Sequence, residues 1–356
     1  MEHIDVAVIG GGQSGLAAAR ALLRRGLRPA VLEASGRTAG SWPRYYDSLR
    51  LFSPARYSSL PGMPFPGSDP DRHPRRDEVV AYLTAYAAHL GADIRTGCRV
   101  GAVRRPRRGG GFEVELEGGG RLAARAVVAA SGTFGRPHRP ALPGLERFTG
   151  QVSHAAGYRC PAPFAGRRVV VVGAGNSAVQ IAVELAATAR VTLATRAPVR
   201  FAAQRVLGRD LHVWLARTGL DAAPLGRLLT RRPPAHPVID DGRYRAALAA
   251  GRPDRRPLFT DADGAGIVWP DGEREAVDVI LLATGYRPDL PYLAPLRGAL
   301  DGDGNPRHRE GVAVAVPGLA FVGLEWQRGL ASNSLRGVGR DAERIARHLA
   351  AGLPRR

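Results

Sequence analysis

The 356-residue chain contains no lysine: all 51 of its basic residues are arginine, against 32 acidic ones. That bias looks like GC-rich codon usage more than selected polybasic patches. The arginines are spread from end to end, and no aromatic-interleaved basic stretch occurs. The net charge of +19 therefore does not mark a nucleic-acid binder. Two cysteines, Cys98 and Cys160, are too few and too far apart for a disulfide framework or a zinc ribbon. Each reads as a small core or loop residue, and no metal site is expected. No uninterrupted apolar run approaches the roughly 18–20 residues that a membrane span needs. No apolar stretch precedes the first strand near Ile4, so no targeting segment is expected and the cytoplasm is the expected compartment.

What is present is abundant glycine and two strand–glycine–helix units of one design. The length suits two or three domains with ample core. "IDVAVIG" reads as a buried strand into Gly10, followed by a helix from about Ser14 to Arg25, and "RPAVLEA" reads as a second strand ending at Glu33. Residues 37–66 are loop-rich. "RRDEVVAYLTAYAAHLG" has helical apolar spacing with acids in its first turn. Short antiparallel strands are expected around the Gly118–Gly120 turn. A second unit follows: "RRVVVVG", a helix from about Asn176 to Ala187, and "ARVTLATR". Residues 201–257 hold two expected helices, in "DLHVWLARTGL" and "DDGRYRAALAA", separated by the breaker "RRPPAHP". "VDVILLATGYRP" and "LAFVGLEW" read as further strands, and "RDAERIARHLAAG" reads as a closing helix.

Each unit has the mechanics of a dinucleotide cradle. In the first, Gly10 allows the tight turn, Gly12 lets backbone approach a pyrophosphate, and Gly15 lets helix pack on strand. The helix N-terminus offers unpaired N–H groups and a positive dipole end. Glu33 lies 18 residues beyond Gly15, near the spacing of a ribose-binding acid. The second unit, Gly173-x-Gly175-x-x-Ala178, ends its next strand in Thr195-Arg196 with no acid. A carboxylate accepts a free 2′-hydroxyl and repels a 2′-phosphate, and a guanidinium does the reverse. The first site thus suits FAD or NAD and the second NADP. Two nucleotides on one chain make sense when one passes electrons to the other, and a flavin is the usual acceptor for NADPH.

With those residues in view, the chain resembles the flavin-containing monooxygenase superfamily. Within it, the chain is similar to the short bacterial monooxygenase-like flavoproteins associated with arsenic and metal-cation resistance. "FTGQVSHAAGY" matches the family signature through Phe148, Gly150, His154 and Tyr158. "AGSW" supplies the Gly40–Trp42 pair, "LLATGYRP" the Ala283-Thr284-Gly285 turn, and "LRGVGRDAERIARHL" the terminal helix. The resemblance implies an α/β fold of two Rossmann-like, glutathione-reductase-type domains, the NADP domain inserted into the FAD domain. The FAD domain is expected over 1–159 and 284–356, and the NADP domain over 160–283 with a helical insertion at 201–257.

It further implies FAD on Gly10, Gly12, Gln13, Ser14, Gly15, Glu33, Gly40, Ser41, Trp42, Val100, Ser131, Gly132 and Asp341. NADPH and the domain linker would take His154, Gly173, Gly175, Asn176, Ser177, Ala178, Arg196, Thr284 and Gly285. For His154, a direct NADP contact and a hydrogen-bonded structural role both stay open. Trp42, Phe52, Trp326, Gln327 and Asn333 are expected to line the flavin face.

Two departures from the larger relatives stand out. Phe52 occupies the place of an asparagine, and a phenyl ring cannot hydrogen-bond a flavin adduct. Tyr46-Asp47 and Tyr158 replace residues of the Baeyer–Villiger relatives, which favours heteroatom oxygenation over ester formation.

The expected activity is therefore an NADPH-dependent FAD monooxygenase. Hydride passes to FAD, O2 is activated as a C4a-(hydro)peroxyflavin, and a soft N, S or metalloid centre of a small molecule is oxygenated. The alternative is a flavin reductase that serves a quinone, a disulfide or a carrier protein without inserting oxygen. A non-enzymatic flavin sensor is a third reading. The sequence does not specify an oligomeric state, and a homodimer is carried as one expectation.

Overall fold

The computed structural model describes residues 1–224 and 237–353. The chain opens with β1 (Glu2–Ile9), helix α1 (Gln13–Leu23) and β2 (Pro29–Leu32), a parallel crossover. Helix α2 (Arg76–His89) leads to β3 (Asp93–Arg95), which adds parallel to β2. β4 (Val100–Arg104) and β5 (Phe112–Leu116) form a hairpin, and β6 (Arg121–Ala129) follows β5 antiparallel before running parallel beside β1. The α2 start is fixed by Glu78, whose carboxylate accepts the Arg75 N–H at 2.8 Å.

The chain then crosses to the second sheet through β7 (Arg136–Pro137). That sheet contains β8 (Gln151–His154), β9 (Arg168–Val172) and, after α3 (Asn176–Leu185), β10 (Arg190–Thr195). An excursion follows: β11 (Phe201–Ala203), the β12–β13 ribbon (Arg205–Val206 and Arg209–Asp210), α4 (Leu211–Thr218) and β14 (Val238–Asp240). After the helix Arg243–Ala249, β15 (Asp254–Pro257) rejoins the sheet. A small meander, β16 to β18 (Asp261–Asp263, Gly266–Val268, Arg274–Ala276), precedes β19 (Val279–Leu282).

The return crossing is β20 (Tyr286–Arg287), paired antiparallel with β7. The two passages between the units thus lie side by side. β21 (His308–Arg309), β22 (Val312–Ala313) and β23 (Leu319–Phe321) complete the first sheet, and the helix Leu335–Gly352 closes the chain against α1.

The first sheet runs β21-β22-β23-β6-β1-β2-β3 and the second β15-β10-β9-β19-β8. All neighbours within the second sheet are parallel. The apolar runs are continuous because both faces of each sheet are covered. Val6, Val8 and Val128 face α1, α2 and the closing helix, while Ala7, Ile9 and Val127 face the hairpin and the 290–300 segment. In the "VVVV" run, Val169 and Val171 pack toward α3, and Val170 and Val172 pack toward Trp269 in the turn between β17 and β18.

Three features differ from the sequence reading. β8 already lies in the second sheet, so that sheet begins before residue 160. The excursion at 201–257 is only partly helical: α4 and Arg243–Ala249 are present, but short strands make up much of the rest. The "LAFVGLEW" strand stops at Phe321, where Gly323 turns with φ of +90° over Ser14. The breaker "RRPPAHP" lies outside the described residues except for Pro237.

Candidate functional site

The first cradle sits at the C-terminal end of β1, where successive connections lead to opposite sides of the strand, to β2 on one and β6 on the other, both parallel to it. Gly10 adopts φ of +108°, and a Cβ there would lie 2.7 Å from the Ala130 carbonyl. At Gly15 a Cβ would fall 1.8 Å from the Gly10 carbonyl. Gly12 rests against Gly40, and the Ser131–Gly132 turn follows Ala130 against Gly10. No side chain caps α1, so its first N–H groups remain available at the loop.

Glu33 is buried, and its carboxylate accepts the Gly11 N–H at 2.6 Å and the Ser35 N–H at 2.8 Å. The acid is thereby locked beside the glycine loop. Gln13 binds the Asn333 carbonyl at 2.6 Å and accepts the Trp42 indole N–H at 2.9 Å. Ser41 meets the Tyr45 hydroxyl at 2.8 Å. Most residues expected around FAD therefore converge: Gly10, Gly12, Gln13, Ser14, Gly15, Glu33, Gly40, Ser41, Trp42, Ser131, Gly132 and Asn333.

Others behave differently. Val100 is buried at the start of β4. Gln327 turns its amide onto Gly311 and the Leu324 N–H, and Trp326 is buried beside it. Asp341 is buried facing Arg328 at 3.2 Å, and burial raises its carboxyl above the ordinary range against the pull of Ser332 and Arg328.

The second cradle repeats the first. Gly173 has φ of +147°, donates to the Ala194 carbonyl, and packs on the Ala283 carbonyl, which a Cβ would approach to 2.4 Å. Ala178 closes the helix–strand contact, and α3 starts uncapped at Gly175. A Cβ on Gly175 would meet nothing within 4 Å, so the space a phosphate needs is open there. Asn176 holds the Ile239 N–H and the Pro237 carbonyl, which ties β14 to the start of α3. Ser177 follows it in the first turn of α3. Arg196 is exposed past the end of β10 and, among the described residues, makes no ion pair.

His154 joins the two units. Its Nε2 donates to the Gly285 carbonyl at 3.1 Å, and its Nδ1 accepts the Ala156 N–H at 3.0 Å. These bonds specify the neutral tautomer, and burial also lowers its pKa. Both ring nitrogens are committed to backbone, which is the structural alternative left open by the sequence. Thr284 donates to the His138 carbonyl at 2.5 Å across the paired crossings.

Phe52 lines an interdomain cleft of about 560 Å³ with Tyr46, Arg50, Leu51, His73, Gln204 and Tyr244 among others. Gln204 donates to both the Phe52 carbonyl at 3.0 Å and the Asp210 carboxylate at 2.5 Å. Burial alone would raise Asp210, but the bonds from His212 and Gln204 hold it below its ordinary value.

Sequence reasoning did not foresee this cleft wall. Nor did it foresee the aromatic chain Trp42–Tyr45–Phe134–Tyr286–His154 that bridges the units edge to face. Both depend on long-range contacts with no local spacing signal. The cysteines are unpaired, and among the described residues no group of three or more His, Cys, Asp or Glu is placed to hold a metal ion. Among them too, no helix is long and apolar enough to cross a membrane.

Residues 7–216 match the pyridine nucleotide-disulphide oxidoreductase family. An uncharacterized CzcO-like oxidoreductase of Geobacillus kaustophilus is 33% identical over 96% of this chain and 97% of its own length. An indole-3-pyruvate monooxygenase, YUCCA1, of Oryza sativa is 34% identical over 92% and 88% respectively. The solved flavin-containing monooxygenase from Stenotrophomonas maltophilia superposes with a TM-score of 0.84, at 35% identity, over 99% of both chains.

Proposed function

The chain belongs to the pyridine nucleotide-disulphide oxidoreductase family, and we propose that it is an FAD- and NADPH-dependent monooxygenase of the short bacterial type that oxygenates a soft N, S or metalloid centre in a small molecule. The observation that carries this reading is the pair of equivalent cradles with opposite charge at the strand end, Glu33 in one and Arg196 in the other.

Both cradles fit their nucleotides. The glycine loops leave backbone N–H groups free at uncapped helix starts, and Gly175 leaves open volume where a side chain would block it. Gly10, Gly12, Gly15, Glu33, Gly40 and Trp42 would hold FAD, with the Ser131–Gly132 turn beside them. Gly173, Gly175, Ser177, Ala178 and Arg196 would hold NADPH. When bound, FAD accepts hydride from NADPH and allows O2 to supply one oxygen atom to substrate and one to water, a solvent proton completing the balance.

The chain's own part is binding, orientation and exclusion of water. Gln13 and Trp42 brace each other against the Asn333 carbonyl, which fixes that wall of the first unit. His154 and Thr284 fasten the two crossings, so the units keep a set relation. Neither cysteine is placed with a partner thiol, which disfavours disulfide reduction as the main job. A cytoplasmic homodimer completes the reading, and sedimentation analysis tests that part.

The deciding experiment is turnover under ¹⁸O₂ with NADPH and a panel of amines, sulfides and arsenite. Label in a product supports the reading. Stoichiometric free peroxide with every compound, or protein that stays colourless after FAD reconstitution, overturns it.

A further inference from the structure

We infer that the interdomain cleft is the pocket for a substrate bearing a carboxylate, and that Arg50 is the residue that recognises it. This rests on the monooxygenase reading for its chemistry but not for its binding.

The cleft lies between the Tyr46–Phe52 segment of the first unit and α3, β14 and Tyr244 of the second. Its volume of about 560 Å³ is that of a small-molecule pocket. Leu51, Phe52, Val183, Ile239 and the rings of Tyr46 and Tyr244 offer an apolar body a place to bury. The charges on the lining differ in what they already hold. Glu184 accepts the Tyr158 hydroxyl at 2.8 Å. Asp241 accepts the Arg243 N–H and lies 3.7 Å from the Arg243 guanidinium, which also meets Tyr244. His73 faces Asp210 at 3.5 Å. Arg50 has only a 3.5 Å contact with the His73 carbonyl and, among the described residues, no ion pair.

The segment that carries Arg50 is rigidly held. Its backbone bridges Arg75, the Leu51 N–H donates to Pro74 at 2.9 Å, and His73 Nδ1 meets the Leu51 carbonyl at 3.0 Å. Buried Arg76 fastens Tyr45 and Asp47 just before it, and Gln204 fastens Phe52 just after it. A planar guanidinium on a fixed segment, in a cleft also lined by apolar side chains, suits bidentate capture of a carboxylate. The substrate class is therefore a small monocarboxylic acid with an apolar body that carries the soft heteroatom.

The test compares 4-(methylthio)butanoic acid with its methyl ester on the FAD-loaded enzyme. The acid is expected to have at least about a tenfold higher kcat/KM, a ratio that Arg50→Ala and Arg50→Gln abolish and Arg50→Lys, which keeps the charge but not the bidentate fork, keeps only in part. In parallel, the sulfur-free hexanoate should bind the same holoenzyme by calorimetry and weaken about tenfold in Arg50→Ala. An ester used as well as the acid, or parallel losses for both in the variants, overturns the assignment. So does hexanoate binding that is absent or indifferent to Arg50. If neither thioether is oxygenated, the hexanoate arm decides the pocket by itself, and the monooxygenase reading is judged separately by the ¹⁸O₂ panel.

Discussion

The two cradles can be laid over each other bond for bond, and their differences are more informative than their agreement. Gly10 donates to Leu32 and packs on the Ala130 carbonyl; Gly173 donates to Ala194 and packs on the Ala283 carbonyl. Each following helix begins with the same backbone bond, Leu16 to Gly12 and Val179 to Gly175. The first loop is then closed around itself, with Gly12, the counterpart of Gly175, against Gly40, which a Cβ would approach to 3.4 Å, and Glu33 bonded to Gly11. The second stays open at Gly175 and ends in an exposed, unpaired-in-the-described-residues Arg196. A tightly built loop suits a resident cofactor, and an open one suits a coenzyme that comes and goes each turnover.

The largest expected effect breaks this symmetry directly. Gly15→Ala forces a Cβ to within 1.8 Å of the Gly10 carbonyl, which is backbone and cannot swing away. Overpacking of this kind costs about 1–3 kcal/mol and sometimes more. Purified Gly15→Ala should show a clearly lowered Tm and a low flavin-to-protein absorbance ratio. Gly175→Ala adds its Cβ in open space, so its Tm should match the parent while its KM for NADPH rises several-fold. A KM for NADPH unchanged in Gly175→Ala would show that the openness of the second loop has no meaning for binding.

A smaller effect sharpens the charge difference. Arg196→Ala should raise KM for NADPH about tenfold and leave KM for NADH within about twofold, because only the former has a 2′-phosphate to lose. The exposure of Arg196 keeps the loss toward the low end of charged contacts. Steady-state kinetics with both coenzymes checks this, and parallel losses would remove Arg196 from the site.

What the sequence revealed follows the same division between local and distant. The cradles were legible because turn, helix start and strand end lie within about thirty residues, and glycine spacing reports backbone needs directly. Gln13 and Trp42 were placed by resemblance, and a side-chain bond joins them. Gln327 and Asp341 are expected at the flavin on the same resemblance, and the contacts they make, Gln327 with Gly311 and Asp341 with Arg328, have no counterpart in the sequence pattern. Their local sequence gives helix or loop and says nothing of which way a side chain turns. The cleft was illegible for the same reason: Gln204 reaches Phe52 across 152 residues, and nothing near either predicts the other. Nor does period alone assign β8, whose four residues enter the second sheet only because β19 offers an edge.

The smallest effect concerns the clasp between the units. His154 is held neutral, donating through Nε2 and accepting through Nδ1, and burial lowers its pKa below the ordinary value. The unfolded chain therefore takes up a proton at a higher pH than the folded one. Stability from this group is complete above the unfolded histidine value near 6.5 and falls as pH drops toward the folded value. His138 and His308 are also lowered and contribute slopes of the same sign. The informative quantity is thus the difference between parent and variant. His154→Asn should lower Tm at pH 7.5 by a few degrees and make the Tm profile between pH 7 and 5 flatter than the parent's. One histidine can contribute at most about 1.4 kcal/mol per pH unit to that slope. A variant profile parallel to the parent's would mean that His154 has the same proton affinity in the folded and unfolded chains, and the clasp would then not depend on its neutral form.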